Sequence, residues 1–267
     1  MSGVLEGLSV YAFGDSILYG HSRPQTSMLR LMAGRYGWKL SMFARNGATI
    51  LPGENQILQQ IYAAPNDAPD LIVFDGYTND AYGSKENDPF NKSKGKPDIT
   101  TRYGVIQGSR AAAFDQDTFC GAFEALLDAM KRKWHKSRIV YLTIHKSGAR
   151  DFSIQSRLRD LSVKICGQWG VAVADAFVDT ELDTRRTEDM STYIIDGNGS
   201  HPNEECCKKF YIPTLTTKLI SMLKRERPDG PDAFDLERRK HGRDIYFEPD
   251  PSARDGPGIR RKGDGPR

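Results

Sequence analysis

Three short polar clusters, far apart on a chain of 267 residues, hold the groups that acyl transfer needs. Gly14-Asp15-Ser16 offers a hydroxyl, Asn79-Asp80 an amide beside a carboxylate, and His201-Pro202 an imidazole. A serine hydroxyl is a weak nucleophile until a neighbouring base takes its proton. Imidazole suits that task because its ordinary pKa lies near the working pH. His201 sits in the glycine-containing loop from Asp196 to Asn203, from which it can reach a distant hydroxyl. The plain alternatives are that Asp15 or Ser16 only caps a helix and that His201 is a loop histidine beside a helix start. His145, which ends an apolar run, is the rival base, and His21, near Ser16, is a candidate for the pocket wall.

A histidine base needs a carboxylate that fixes its tautomer and steadies the cation. Asp196 stands five residues before His201 and Asn198 three before, and of the two only Asp196 carries the charge. Asn198-Gly199 is a tight-turn dipeptide, and a turn there would let Asp196 fold back onto the ring. Asn198 or a backbone carbonyl is the alternative third partner. A tetrahedral oxyanion also needs donors, each worth about 3 kcal/mol in the transition state. The Asn79 amide and backbone N–H groups, that of Ser16 among them, can supply these. Gly47, within Asn46-Gly47-Ala48-Thr49, allows close approach of backbone to substrate. Against this, Asn79-Asp80 could be a helix cap with its first-turn acid, and Gly47 an ordinary turn. Asp15, Tyr77 and Asp80 flank these groups and are further candidates for the pocket or for the triad.

Such residues can meet only if the elements between them deliver them to one rim. Apolar runs predict strands at Leu8–Phe13, Lys39–Ala44, Leu71–Phe74, Arg138–Ile144 and Val171–Ala174. Helical spacing predicts helices at Gln25–Tyr36, Asn55–Ala64, Gln116–Trp134, Ser153–Trp169 and Asn203–Lys224, the last interrupted or kinked near Pro213. Strict alternation of the two predicts an α/β fold: a three-layer α/β/α sandwich around a five-stranded parallel sheet. Chemistry in such sheets lies beyond the carboxyl ends of the strands, and Ser16, Gly47 and Asn79 each follow one.

The expected domain is residues 1–225. Within it, 83–114 is too long and polar for an ordinary connection and reads as a lid or insertion loop. Residues 226–267 shift to Pro, Gly and interleaved charge and read as a disordered tail, with Ile245-Tyr246-Phe247 as a local docking point. The formal charge of +3 is spread among mixed signs, which argues against a nucleic-acid partner. No apolar stretch reaches the roughly 18 residues of a membrane span, and the chain does not open on a basic segment followed by a long apolar one. A cytoplasmic protein without a membrane partner is the expectation. Four cysteines, Cys120, Cys166, Cys206 and Cys207, show no zinc spacing and read as reduced, helix-packing thiols.

At these residues the chain resembles the SGNH (GDSL) hydrolase family. Gly14 to Gly20 looks like the family's first block, Gly47-Ala48-Thr49 like the second, Gly76 to Asp80 like the third, and Asp196 to Pro202 like the fifth. The resemblance implies a flavodoxin-like sandwich and a serine esterase. It implies Ser16 as nucleophile, His201 as base, and an oxyanion hole of the Ser16 and Gly47 N–H groups with the Asn79 amide. Two positions depart from the pattern: Tyr77 stands where the family has glycine, and Asn198 where it has aspartate. The expected activity is hydrolysis of small acyl esters, acetyl esters of carbohydrates among them, without metal or cofactor. The rivals are an acyltransferase or thioesterase on the same triad, and a catalytically silent binding module that kept the pocket.

Overall fold

The structure, a computed structural model, describes residues 3–53, 55–81, 98–197 and 199–224. Five parallel strands form one sheet: β1 (Ser9–Phe13), β2 (Lys39–Met42), β3 (Leu71–Phe74), β4 (Arg138–Thr143) and β5 (Ala172–Asp175). Their order is β2-β1-β3-β4-β5. All four residues of β3 are buried, as an unbroken Leu-Ile-Val-Phe run covered on both faces should be.

The helices are α1 (Ser16–Tyr19), α2 (Met28–Tyr36), α3 (Ile57–Ala63), α4 (Phe119–Lys133), α5 (Phe152–Gln168), α6 (Thr187–Tyr193), α7 (Glu204–Cys206) and α8 (Ile212–Lys224). Side-chain caps start several of them. Thr118 accepts from the Gly121 N–H before α4, Asp151 from Ser153 and Ile154 before α5, and Asn203 from Cys206 before α7. Helix α3 packs on α4 and α4 on α5, making one layer, while α2 and α8 pack together in the other. Tyr11 and Phe13 of β1 meet Trp134, just past α4, edge-on and stacked at ring separations of 5.6 and 5.5 Å. This aromatic contact locks β1 to one helical layer.

Strand β1 sends the chain to β2 on one side, and β3 returns on the other. The crevice at such a reversal, outside the carboxyl ends of β1 and β3, is where open α/β sheets bind ligands. Ser16 follows β1 and Asn79 follows β3, so both lie at this crevice.

Helix α6 was not expected: its sequence, Thr-Glu-Asp-Met-Ser-Thr-Tyr, buries no residue and so has no apolar period. The last helix is interrupted near Pro213, one of the two expected forms. A π-helical stretch, Cys207–Tyr211, separates α7 from α8, and Pro213 falls just after it. An inserted π turn disrupts the i→i−4 ladder where proline could not join it. Within the 83–114 region, Gln107 and Gly108 are tied to α4. Buried Glu124 of α4 accepts the N–H of Gln107 at 2.8 Å, that of Gly108 at 2.6 Å and the Trp169 indole N–H at 3.2 Å. Residues 83–97 of that region and the tail, 226–267, lie outside the described residues. No helix among the described residues is long and apolar enough to cross a membrane. The four cysteines are unpaired and buried. Burial raises their thiols, Cys120 to about 11 and Cys207 to about 12, so they stay protonated at neutral pH.

Candidate active site

The turn that carries Ser16 is held from below by three buried polar side chains. Gln60 of α3 grips Gly14 with its amide, accepting from the Gly14 N–H and donating to its carbonyl, both at 2.9 Å. Asp75, directly after β3, accepts the N–H of Asp15 at 2.7 Å and of Leu18 at 3.1 Å. Residue 14 must be glycine: its φ is +144°, and a Cβ there would lie 1.7 Å from the Asp75 carboxylate. Asp15 caps α1 through the Ile17 N–H at 2.8 Å, so the capping alternative holds for Asp15 without removing Ser16 from the site. Burial raises both carboxyls, and the nearby charge of Asp15 pushes Asp75 up further. Two adjacent buried carboxyls cannot both ionise cheaply. Asp75 and Gln60 were missed by the sequence reading. The only trace was a carboxylate ending an apolar run, and a glutamine on an otherwise apolar helix face.

Ser16 Oγ lies 2.8 Å from His201 Nε2. On the far side of the ring, His201 Nδ1 donates to Asp196, whose other oxygen faces the N–H groups of Ser200 and His201 at 3.3 Å each. Burial raises the Asp196 carboxyl, but the hydrogen bond and charge of His201 with those N–H groups outweigh it and hold it low. The fold-back arises from a narrow loop. Ile194 bridges Pro202, the Ile195 N–H meets the His201 carbonyl at 2.9 Å, and Gly199 takes φ +85°. Asn198 lies outside the described residues.

His145, the rival base, is fully buried and engaged elsewhere. Its Nε2 faces the Gly199 carbonyl at 3.0 Å and its Nδ1 the Tyr211 hydroxyl at 2.6 Å. A carbonyl only accepts, so the hydrogen is assigned to Nε2, and Tyr211 donates to Nδ1. Gly199 O also accepts from Thr184 Oγ1 at 2.6 Å and Ser147 Oγ at 3.1 Å. Three donors on one carbonyl clamp the loop that carries Asp196 and His201.

The Asn79 amide donates to Ala48 O at 2.9 Å and approaches the Asp15 carboxylate at 3.4 Å, so it spans the Gly47 and Ser16 segments. Gly47 takes φ +76°. Among the described residues, no acceptor takes the N–H of Ser16 or of Gly47. Asp80 does not face the imidazole, whose Nδ1 belongs to Asp196. Its two oxygens accept the Ile50 and Leu51 N–H groups at 2.9 Å each, tying two rim loops together. The His21 ring stacks on that of His201.

A sequence profile of the GDSL-like lipase/acylhydrolase family matches residues 12–208. The chain belongs to that family. Among solved structures, a Lactobacillus plantarum protein is 19% identical, with TM-score 0.63 over 83% of this chain and 99% of its own. A phospholipase A1 from Streptomyces albidoflavus is 16% identical, with TM-score 0.55 over 79% of this chain and 99% of its own. Both are likenesses of fold. No curated protein sequence shows significant similarity.

As a GDSL-like acylhydrolase the chain keeps an unusual residue at position 77. Tyr77 adopts φ +79° and is fully buried, so a bulky side chain occupies the left-handed conformation that glycine takes easily. The strain costs about 1–2 kcal/mol. Among the described residues, no group of His, Cys, Asp and Glu is arranged to hold a metal.

The clamp makes the stability of this acylhydrolase acid-sensitive. Burial pushes His145 from 6.5 down to about 4, against the opposing pull of Gly199 O and of Asp196. The unfolded chain protonates this histidine below pH 6.5, the folded protein only near 4. Stability is therefore complete above pH 6.5 and falls as pH drops towards 4, by up to about 3 kcal/mol. His145→Gln keeps a donor for Gly199 but cannot titrate. Denaturant unfolding at intervals across that window should show the wild type losing about 3 kcal/mol more than the variant. Parallel losses would mean that His145 titrates alike in both states.

Proposed function

We propose that the protein is a serine carboxylic-ester hydrolase working through an acyl-enzyme. The observation that carries this reading is the unbroken line from Ser16 Oγ through His201 to Asp196. Ser16 Oγ attacks the ester carbonyl while His201 Nε2 takes its proton. Asp196 holds the Nδ1–H and steadies the imidazolium. The N–H groups of Ser16 and Gly47 receive the oxyanion together with the Asn79 amide, which exchanges its long contact to Asp15 for the substrate oxygen. Collapse expels the alcohol with the proton from His201, and water enters by the reverse steps. Nucleophile, base and donors all come from the chain, so neither metal nor cofactor is required.

Asp196 answers the departure at position 198: the carboxylate is supplied from two residues earlier, which favours an active enzyme over a silent binding module. Residues 1–225 carry the reaction in this reading, and the 83–114 segment is polar in sequence. That polarity, and not the phospholipase likeness at 16% identity, supports short acyl groups, including acetyl esters of carbohydrates. Hydrolysis of p-nitrophenyl esters of increasing chain length tests it. Acetate should be cleaved fastest, with no effect of a chelator. Preference for long chains would overturn the short-acyl assignment, and no cleavage of any ester by folded protein would overturn the hydrolase.

A further inference from the structure

We propose that His21 is a positioning residue for His201, its ring stacked on the base so that the imidazole plane stays in line with Ser16 and Asp196. The inference rests on the hydrolase reading above. The two rings lie with centroids 3.8 Å apart and planes 13° from parallel. His201 is held at its two nitrogens by Ser16 and Asp196. Bonds at both ends of a ring leave it free to flap about the line joining them. A parallel ring against one face blocks that motion.

The backbone is bent to put His21 there. His21 takes φ +47°, one of two non-glycine residues with positive φ among those described. Strain of this kind persists only where the surroundings enforce it, and it gathers at functional sites. What enforces it here is the nucleophile's own peptide. The Ser16 carbonyl accepts the N–H of Gly20 at 2.9 Å and of His21 at 3.0 Å. Gly20, at φ +94°, admits no side chain: a Cβ would lie 2.9 Å from the Pro24 Cα and from the Ser27 Cβ. The nucleophile and the ring that covers its base are thus set by one turn.

The stacked ring must stay neutral, or it would oppose the imidazolium that forms on His201. The charged and titratable groups acting on His21 are His201 and Asp196. Burial and then the His201 charge lower its pKa, against the pull of Asp196. Its Nδ1 is buried and, among the described residues, has no hydrogen-bond partner. Protonation there would bury an unpaired N–H, which is costly.

The test removes the ring without adding strain. His21→Gly suits φ +47° and should fold at least as stably as the wild type. Its kcat on p-nitrophenyl acetate should fall about tenfold while KM stays within about twofold, the pattern of a misaligned base. His21→Phe keeps a flat ring that cannot titrate and should recover kcat to within about threefold of wild type. Unchanged kcat in His21→Gly, a loss confined to KM, or a Phe variant as slow as the Gly variant would each overturn the role. Ser16→Ala run alongside separates the two readings. If it hydrolyses as fast as wild type, the hydrolase reading has failed. If Ser16 is required and His21→Gly is indifferent, only the His21 role has failed.

Discussion

Replacing Ser16 with alanine is expected to lower kcat for ester hydrolysis by about 10⁴-fold or more, with little change in resistance to denaturant. Ser16 Oγ is hydrogen-bonded to His201 Nε2 and, among the described residues, to nothing else, whereas the turn around it is fixed by Gln60, Asp75 and the Asp15 cap. Loss of the oxygen therefore removes the covalent route without collapsing the elbow. A 10⁴-fold loss corresponds to about 5.4 kcal/mol of transition-state stabilisation. The residual rate should reflect the donors alone. Adding His201→Ala to Ser16→Ala should then cost almost nothing further, because a base without its nucleophile has no proton to take. Initial rates with p-nitrophenyl acetate, beside denaturant unfolding curves, check both statements. Equal rates for wild type and Ser16→Ala would remove Ser16 as nucleophile.

Asp196→Asn is the second large effect, expected at about 10³–10⁴-fold in kcat with KM little changed. The substitution keeps the shape but removes the charge. An amide at this place cannot steady the imidazolium, and it can turn its NH₂ toward Nδ1 and favour the tautomer that puts hydrogen on Nε2. That tautomer cannot accept the Ser16 proton. The wild-type carboxyl is held below the usual carboxylate range by His201, so it stays ionised wherever a histidine base can work. Steady-state kinetics across neutral pH should show the loss at every pH. Wild-type kcat in this variant would mean that another group, Asn198 or a backbone carbonyl, serves the ring.

These residues differ in how visible they are in a sequence, and the reason is physical. Ser16 and Asn79 were legible because each is a chemically able side chain placed after an apolar run, and strand ends in parallel sheets converge; His201 was legible as an imidazole in a polar, glycine-containing loop. The fold-back of Asp196 was legible because Asn198-Gly199 announces a turn. Strands and long helices were legible through their apolar periods. Gln60, Asp75 and the His145–Tyr211 clamp were not, since each acts on a backbone group brought near only by the fold: Gly14, Leu18 and Gly199. Tyr77 was visible as a departure, yet only coordinates reveal that it takes the glycine-like conformation with its ring buried. Pro213 signalled an interruption, but one proline does not distinguish a kink from a π turn. Helix α6 had no apolar face to betray it.

The central claim is that Ser16 is a nucleophile activated by His201. Mass spectrometry of protein treated with a fluorophosphonate tests it most directly. The expected result is a single adduct on the peptide that carries Ser16, absent in Ser16→Ala and formed far more slowly in His201→Ala. An adduct on a different residue, or none in folded wild-type protein, would contradict it.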